Sequence, residues 1–581
     1  ASGGWSSAAL PETRIDFTAF EPEGRRFEPL VDLAGAPIAE LDRAGARLVD
    51  LHGDGLPGVL YVDGDSVLYR PPVALADGRV GYGAACALPA FPIERQAEGH
   101  DARLVDLTGS GYLDLLVQRA GQAGFYEGRA GRFGPFLPLR GAPTELADEH
   151  SQLIDMSGDG LSDLLRMELN GMRIFPGHGR GFDAPERAHR PAELPLARPG
   201  EVRELLTFTD MAGAGRAQLA RIRDGRVEYW PHLGHGRFAA RVVMQNPPRF
   251  GPDFDVARLA LGDADGSGTT DLAYADGGAV RVWLNQSGNR FAAPFTLPLP
   301  APFTARSRLE FVDLFGDGTE CLVLHVGDRQ ARRFCYRFAP NKPYLLRRLD
   351  NGLGATRTVT FRPSTRDLLA DRAAGVKWIG GLPFPMQVVA EVEERDHFSD
   401  TRLVRRYRYR HGHYDGVERT FVGFGRVERL DAEHLGAVDT AKGGHQVPPV
   451  RTVSWYHNGA RGAGATLSQA FVDEYFAGDR DAWTLPDSTL DRGADPWLDD
   501  DTREARRALG GRLLRQEVYW LDGTPAAALP YQVTCHRYAI RRLQPRGAQR
   551  YGVFFVHALE TVEWHYERDI ADPRITHALV L

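Results

Sequence analysis

A nine-residue loop recurs six times within the first 340 residues and constrains the fold more than any other feature. The loop reads Asp, two variable residues, Gly, a small or acidic residue, Gly, two variable residues and, in several copies, a second Asp. The same turn chemistry returning at a period near fifty residues indicates a repeat array. The copies, called loops 1 to 6 below, begin 49 to 56 residues apart, at Asp50, Asp106, Asp155, Asp210, Asp263 and Asp313.

Short apolar strands flank every loop. In the first repeat residues 46–50 lead into the loop and residues 59–62 follow it, and later repeats add an aromatic strand and a Gly-x-Phe turn. Four short strands per repeat without helical periodicity are typical of one β-propeller blade. We therefore predict an all-β propeller of about six blades over residues 1–340. Four phenylalanines that end the repeats are expected to pack between neighbouring blades: Phe133, Phe182, Phe238 and Phe291.

The loops resemble those of FG-GAP or integrin-like repeats, which hold calcium. Calcium requires oxygen ligands at alternate positions of a tight turn, and glycine permits the bend. Loop 5 offers the fullest set and is our candidate metal site: Asp263, Asp265, Ser267 and Asp271. Loop 3 offers the weaker set Asp155, Ser157, Asp159 and Asp163, while Ala212 and Phe315 take the third position of loops 4 and 6. In the alternative that we prefer, the first Asp only caps backbone N–H groups of an Asx-type turn.

The pattern changes after residue 340, and we predict that residues 341–581 form a large antiparallel β region. Strands are expected at 356–361, 386–392, 402–410, 515–520, 531–538, 553–556 and 561–566, and a short helix at 502–509. In the 402–410 strand Leu403, Arg405, Tyr407 and Tyr409 alternate with a row of arginines. Strand alternation explains these arginines as a solvated or salt-bridged face better than a nucleic-acid surface does.

Composition and charge exclude several classes of function. The formal net charge of −7 gives no electrostatic reason to expect nucleic acid. The four cysteines are scattered without C-x-x-C spacing, which argues against zinc ribbons and a disulfide framework. No apolar run approaches the roughly 18 residues of a membrane span. Because the sequence begins with Ala1 and has no signal segment, we interpret it as a fragment or a processed product.

No group of residues suggests catalysis. His411 and His413, with Asp415 and Glu418, approach metal-ligand spacing, but a third clustered ligand is missing and a structural turn is favoured. No Gly-x-Ser-x-Gly elbow is present. The loop carboxylates recur with the repeat, as scaffold residues do. We therefore name no catalytic residue and predict that the chain is not an enzyme.

Several long motifs resemble one family, the TcB-type subunit of bacterial insecticidal toxin complexes, also called the SpvB/TcdB-middle group. They include NKPYLLRRLDNGLGA at 341–355, LPFP at 382–385, YRYRHGHYDGVER at 407–419 and FVGFGRVE at 421–428. Others are LLRQEVY at 513–519, YGVFFVH at 551–557 and WHYER at 564–568. In the propeller region GDADGSGTTDL at 262–272 and LNQSG at 284–288 match the same family. The resemblance extends over nearly the whole chain.

The resemblance implies a secreted, non-catalytic toxin component. In that family the propeller docks on the pentameric TcA pore subunit and gates it, without inserting into the membrane itself. The β region begins the wall of an Rhs-type cocoon that TcB and TcC close around a cytotoxic payload. The family's N-terminal SpvB-like segment and its long run of Rhs repeats are absent from this sequence. The alternative hypothesis is a calcium-dependent adhesion or glycan-binding propeller, which would need several complete loops.

Overall fold

The computed structural model describes the chain in ordered stretches that form two compact units. The propeller unit comprises Thr18–Tyr344 with Pro383–Met386, and the sheet unit comprises Ala1–Phe17, Leu345–Leu382 and Gln387–Leu581. The sequence pattern placed the boundary between residues 340 and 341. The described residues are 10–38, 46–75, 80–89, 91–92, 102–119, 122–141, 143, 146, 151–168, 171–188, 202–327, 332–432, 447–460, 471–479, 485–491, 499–547, 549 and 551–580.

The propeller unit contains six four-stranded antiparallel blades. Two short strands open the chain, β1 (Arg14–Phe17) and β2 (Glu28–Pro29). Blade 1 is β3 (Arg47–Val49), β4 (Gly58–Asp63), β5 (Ser66–Arg70) and β8 (Cys86–Ala87), with a side hairpin of β6 (Pro72–Ala74) and β7 (Val80–Tyr82). Blade 2 is β9 (Ala102–Val105), β10 (Asp114–Arg119), β11 (Gln122–Arg129) and β12 (Arg132–Pro138). Blade 3 is β13 (Ser151–Ile154), β14 (Asp163–Glu168), β15 (Gly171–Phe175) and β16 (Glu186–Arg187).

Blades 4 to 6 repeat this order, and the last one borrows a strand from the start of the chain. Blade 4 is β17 (Leu205–Thr209), β18 (Gln218–Arg223), β19 (Arg226–Trp230) and β22 (Val242–Val243), with the hairpin β20 (His232–Gly234) and β21 (Arg237–Phe238). Blade 5 is β23 (Leu259–Gly262), β24 (Asp271–Asp276), β25 (Ala279–Trp283) and β28 (Phe295–Pro298), with the hairpin β26 (Asn285–Gln286) and β27 (Arg290–Phe291). Blade 6 is β29 (Arg308–Val312), β30 (Cys321–Val326), β31 (Arg332–Tyr336) and β2. The pairing of β2 with β31 closes the ring.

Apolar side chains between successive blades form the core. Between blades 4 and 5, for example, Leu272 and Trp283 pack with Ala220 and Tyr229. A further cluster joins blade 6 back to blade 1, so the packing runs around the whole ring. The prediction for the repeat-ending phenylalanines is confirmed, because all four belong to clusters between blades: Phe133, Phe182, Phe238 and Phe291.

The first strand of each repeat lies on the inner side of its blade. Each is an edge strand, and β23 and β29 of neighbouring blades contact each other. Gly262 of β23 lies so close to Phe311 of β29 that a side-chain carbon at position 262 would meet the Phe311 ring at 2.2 Å. Wedge-shaped sheets wound about an axis approach each other most closely at their inner edges. Loops 1 to 6 follow these inner strands.

The sheet unit is a twelve-stranded sheet, antiparallel except where β38 pairs with β40. Its strands are β1, β32 (Leu346–Asp350), β33 (Ala355–Pro363), β34 (Gln387–Asp396), β35 (Thr401–Asp415), β36 (Thr420–Ala432), β37 (Val450–Tyr456), β38 (Thr489–Asp491), β39 (Leu513–Trp520), β40 (Pro530–Gln544), β41 (Val553–His565) and β42 (Arg574–Leu579). The pairing of β1 with β32 explains why residues 10–17 belong here, although the sequence pattern included them with residues 1–340. The predicted all-β class, a six-bladed propeller followed by a large antiparallel region, is confirmed.

Two α-helices accompany the sheet within the described residues. The helix predicted at 502–509 forms as α2 (Asp499–Arg507), while α1 (Ser364–Ala373) was not predicted. Helix α1 buries Ser364, Thr365, Asp367 and Asp371 along with Leu369, so it lacks an apolar stripe that a sequence pattern would reveal. The described residues also contain three short 3₁₀ turns, at Val256–Arg258, Val472–Glu474 and Pro525–Ala528. Among the helices described, none is long and apolar enough to cross a membrane.

Candidate functional site

All six loops share one hydrogen-bonded form. In every copy the carboxylate of the first Asp accepts the backbone N–H groups of the fifth and sixth loop residues, at 2.6–3.2 Å. This is the Asx-type capping that we preferred from the sequence. Loops 4 and 6 adopt the form although Ala212 and Phe315 occupy their third positions. The loop conformation therefore does not depend on a full set of metal ligands.

The ninth position ties a loop to the strands behind it. Asp114, Asp163 and Asp271 accept N–H groups from the start of their own loop and from the residue 14 positions further on, at 2.7–3.1 Å. In loop 4 the amide oxygen of Gln218 takes over the loop contacts by accepting from Met211 and Ala212. A neutral amide thus replaces a carboxylate in loop 4, so these contacts need an acceptor and not a charge, whereas loops 1 and 6 form with Gly58 and Cys321 at this position.

Neighbouring loops touch through their first glycine. Gly53 of loop 1 has φ +62°, and a methyl group there would lie 2.5 Å from the Tyr112 ring of loop 2. Gly316 of loop 6 has φ +56°, and a methyl group there would lie 2.5 Å from the Leu56 side chain of loop 1. Both the left-handed backbone and the close approach require glycine. The contact between loops 6 and 1 shows that the loops follow each other around the ring, and we call this arrangement the loop ring.

Loop 5 gathers three of the four predicted metal ligands. Carboxylate oxygens of Asp263, Asp265 and Asp271 lie within 4.8 Å of one another, and no other group of three or more metal-binding side chains meets this distance in the described part of the chain. The hydroxyl of Ser267 instead pairs with that of Thr269 at 2.9 Å. Burial and the charges of Asp265 and Asp263 raise the pKa of Asp271 well above its usual value. Burial also raises the pKa of Asp263.

The donor set suits a hard cation, because carboxylate oxygens are the ligands that calcium prefers. Each of these carboxylates nevertheless has protein partners. Asp263 accepts from Ser267 and Gly268, and Asp271 accepts from Ala264 and Asn285. An ion here would have to share these oxygens with the N–H groups that shape the loop.

Two residues outside the repeat complete this site, and periodicity did not reveal them. The Tyr344 hydroxyl donates to Asp265 Oδ2 at 2.8 Å, and the Lys342 ammonium donates to Gly318 O at 2.7 Å. The charge of Lys342 offsets part of the rise that burial causes in the pKa of Asp263. Glu320 Oε2 accepts the backbone N–H of Asp263 at 2.6 Å. Tyr344 is 79 residues from Asp265 in sequence. Only the motif NKPY at 341–344 could have drawn attention to it.

Burial raises the pKa of several loop carboxylates. Burial and the nearby charge of Asp54 raise the pKa of Asp50 to about 7. Burial and the charge of Asp317 raise the pKa of Asp313 to about 7. Burial raises the pKa of Asp114 to about 6. The loop ring therefore takes up protons in a pH range where ordinary carboxylates are ionised.

The histidine group of the sheet unit is structural. His411 is buried, accepts the Ile379 N–H at 3.0 Å and contacts Glu474 at 3.1 Å. Asp415 and Glu418 pair with Arg503 at 3.2 and 2.9 Å instead of meeting the histidines. These contacts are structural, but the turn favoured from the sequence is wrong, because His411, His413 and Asp415 lie in strand β35.

Comparison with known proteins gives consistent matches. The family described as the insecticide toxin TcdB middle/N-terminal region matches residues 285–459, and the TcdB middle/C-terminal region matches residues 504–581. A search of curated protein sequences returned no match. Among solved structures, the Tc holotoxin pore of Photorhabdus luminescens aligns with 98% of this chain at 31% identity and a TM-score of 0.88. The TcdB2–TccC3 complex aligns with 98% at 30% identity and a TM-score of 0.74. This chain spans 26% and 28% of the length of those two chains.

Proposed function

Because this chain belongs to the TcB-type family of insecticidal toxin subunits, whose middle region it matches, we propose that it is a non-catalytic component of an ABC-type bacterial protein toxin. Its propeller docks on a TcA-type pentameric pore subunit and gates it. Its β region forms part of the cocoon that holds the cytotoxic payload of a TcC-type Rhs partner. The supporting observation is the alignment of nearly the whole chain with the Tc holotoxin pore, at a TM-score of 0.88.

The propeller suits docking because its blades are rigid wedges that present a ring of loops. Rigid scaffolds with loops at one end are common binding platforms. The loop ring carries its own hydrogen bonds in all six copies, so little conformational freedom is lost when a partner binds. As a component of such a toxin, the chain would be released from the bacterium that makes it.

Gating requires the blades to move apart, and this motion costs free energy. The inner strands can separate only if the apolar clusters between blades lose part of their packing. Contacts with the pore subunit must therefore stabilise the open ring more than the closed one. A structure of the complex in which the channel of the propeller is unchanged would contradict the gating proposal.

Binding to the pore subunit tests docking directly. The full chain is mixed with a TcA-type pentamer from the same bacterium, and the complex is measured by size-exclusion chromatography with light scattering. We expect one chain to bind per pentamer. A matched TcA preparation from an unrelated toxin complex serves as the control for specificity. Failure of the cognate pentamer to retain the chain would contradict the proposal.

We further propose that calcium is at most an accessory ligand of loop 5. Asp263, Asp265 and Asp271 would hold the ion. All six loops share one form, although most lack this ligand set, which supports a small energetic role for calcium. The competing function, calcium-dependent adhesion or glycan binding, would require calcium to stabilise several loops.

A further inference from the structure

The two ends of the propeller unit are tied together beside loop 5. The unit begins at Thr18 and its main segment ends at Tyr344. The Thr18 hydroxyl donates to Lys342 O at 2.9 Å, and the Tyr344 N–H donates to Thr18 O at 2.9 Å. These bonds come in addition to the pairing of β2 with β31, so the ring is closed twice.

Tyr344 holds an unfavourable backbone conformation at this point. Its φ is +62°, in the left-handed region that a bulky residue rarely adopts. Such a conformation persists only where the surroundings impose it. The contacts that impose it are the N–H bond to Thr18 and the hydroxyl bond to Asp265 Oδ2, at 2.8 Å.

The bond between Tyr344 and Asp265 joins an accessible group to a buried one. Tyr344 is 49% exposed, whereas Asp265 is 5% exposed. Lys342 and Tyr344 reach loops 6 and 5 respectively, so the four-residue strap at 341–344 spans two loops of the loop ring. A binding partner can reach the tyrosine ring without first opening the core.

We propose that Thr18 and the strap at 341–344 form a strained latch that the Tyr344–Asp265 hydrogen bond holds shut. When Asp265 Oδ2 loses the tyrosine hydroxyl, the left-handed backbone at Tyr344 relaxes and both ends of the propeller unit loosen. The pairing of β2 with β31 stays intact at this step, so only the segments around Thr18 and Tyr344 loosen. The proposal rests on these contacts and stands whether or not the chain docks on a pore subunit.

Two substitutions at one position separate the hydrogen bond from the strain. Tyr344→Phe removes the hydroxyl that holds the latch shut, while its side chain still makes the closed, left-handed conformation unfavourable. Tyr344→Gly removes the same bond and also relieves the strain, because glycine adopts positive φ freely. We therefore expect the Gly variant to melt at the same temperature as the Phe variant or higher, the reverse of the usual order for a glycine substitution.

Hydrogen exchange of the full chain measures the loosening. In Tyr344→Phe we expect the amide of residue 344, which donates to Thr18 O, to exchange at least fivefold faster, with blade 3 unchanged, and Asp265→Ala, which removes the acceptor, to show the same local pattern. Tyr407→Phe is the control, because its hydroxyl makes no hydrogen bond to any described residue. The proposal is overturned if exchange at this amide stays at the wild-type rate in both Tyr344→Phe and Asp265→Ala, or if Tyr344→Gly melts clearly below Tyr344→Phe.

Discussion

The propeller unit buries apolar side chains between its blades, whereas the sheet unit combines smaller apolar clusters with many ion pairs across its long strands. In the propeller, residues such as Leu272 and Val323 are fully buried in clusters shared by two blades. In the sheet, Arg402 pairs with Glu393 and Arg406 with Glu391 across neighbouring strands. The arginine row predicted for the 402–410 strand is thus a salt-bridged face.

The difference follows from the geometry of each unit. A propeller blade has a neighbour on both faces, so both faces can be apolar. Strands of 13 to 15 residues such as β35, β36, β40 and β41 have mostly half-buried side chains. Long polar side chains can satisfy such faces by pairing across strands. We therefore expect the two units to respond differently to mutation and to pH.

The largest effect should come from a buried charge in the sheet unit. Asp371 is fully buried and pairs with Arg408 at 2.6 Å and Arg410 at 2.9 Å. Asp371→Ala leaves two guanidiniums without this partner, so we expect a loss of about 3–5 kcal/mol in the free energy of unfolding. Urea denaturation measures it.

The matched control is an ion pair of the same unit whose carboxylate is exposed. Asp400 pairs with Arg395 at 3.0 Å, but its side chain is 73% exposed. Asp400→Ala should cost less than about 1 kcal/mol. Equal losses for the two variants would mean that the ion pairs of the sheet unit do not gain their effect from burial.

The corresponding test in the propeller unit shortens an apolar side chain that is buried between two blades. Leu272 is fully buried between blades 4 and 5. Leu272→Ala should lower the free energy of unfolding by about 2–5 kcal/mol, through lost burial and a residual cavity. Val62→Ala, at a strand position that is 39% exposed, is the control and should change stability by about 0.5 kcal/mol or less. A small loss for Leu272→Ala would contradict the role given to packing between blades.

The two units should respond to pH in opposite ways. Burial raises the pKa of Asp50 and Asp313 from 3.8 to about 7, so the protonated form favours the fold. Their contribution is complete below about pH 4 and is lost as the pH rises to about 7. In the sheet unit burial would raise the pKa of Glu474, but the hydrogen bond and charge of His411, the charge of Arg426 and the hydrogen bond from Trp455 together outweigh burial and lower the pKa from 4.5 to about 2. That contribution is present above about pH 4.5 and is lost as the pH falls towards 2.

Hydrogen exchange resolved by unit checks this expectation. Between pH 5 and pH 8, after correction for the intrinsic exchange rate, propeller segments should lose protection, with a slope of up to about 1.4 kcal/mol per pH unit for each group. In the sheet unit burial lowers the pKa of His457 from 6.5 to about 4, so protection there should instead rise between pH 5 and about 6.5. Propeller protection that rises from pH 5 to pH 8 would contradict the account of the loop carboxylates.

The smallest effect is expected from calcium. The loops keep one form with or without a full ligand set, so adding calcium chloride in place of EDTA should shift the melting temperature by about 1 °C or less. Asp265→Asn, which weakens the ligand set of loop 5, should abolish whatever shift is seen. A shift of about 5 °C or more would favour the adhesion alternative instead.

The sequence alone allowed much of the propeller to be predicted, because each repeat carries its turn chemistry at a fixed phase. It did less well in the sheet unit, where β41 (Val553–His565) was predicted as two strands and α1 was missed. Periodicity finds apolar stripes, and α1 buries polar residues. At loop 5 the carboxylates were found but Lys342 and Tyr344 were not, since long-range contacts leave no local pattern.

The central claim is that the propeller unit, and not the sheet unit, contacts the pore subunit. Hydrogen exchange of the full chain, free and bound to a cognate TcA-type pentamer, tests it most directly. The account predicts that new protection appears in the propeller unit, Thr18–Tyr344, and that the strands of the sheet unit exchange as before. Protection confined to β32 through β42, with the propeller unchanged, would contradict it.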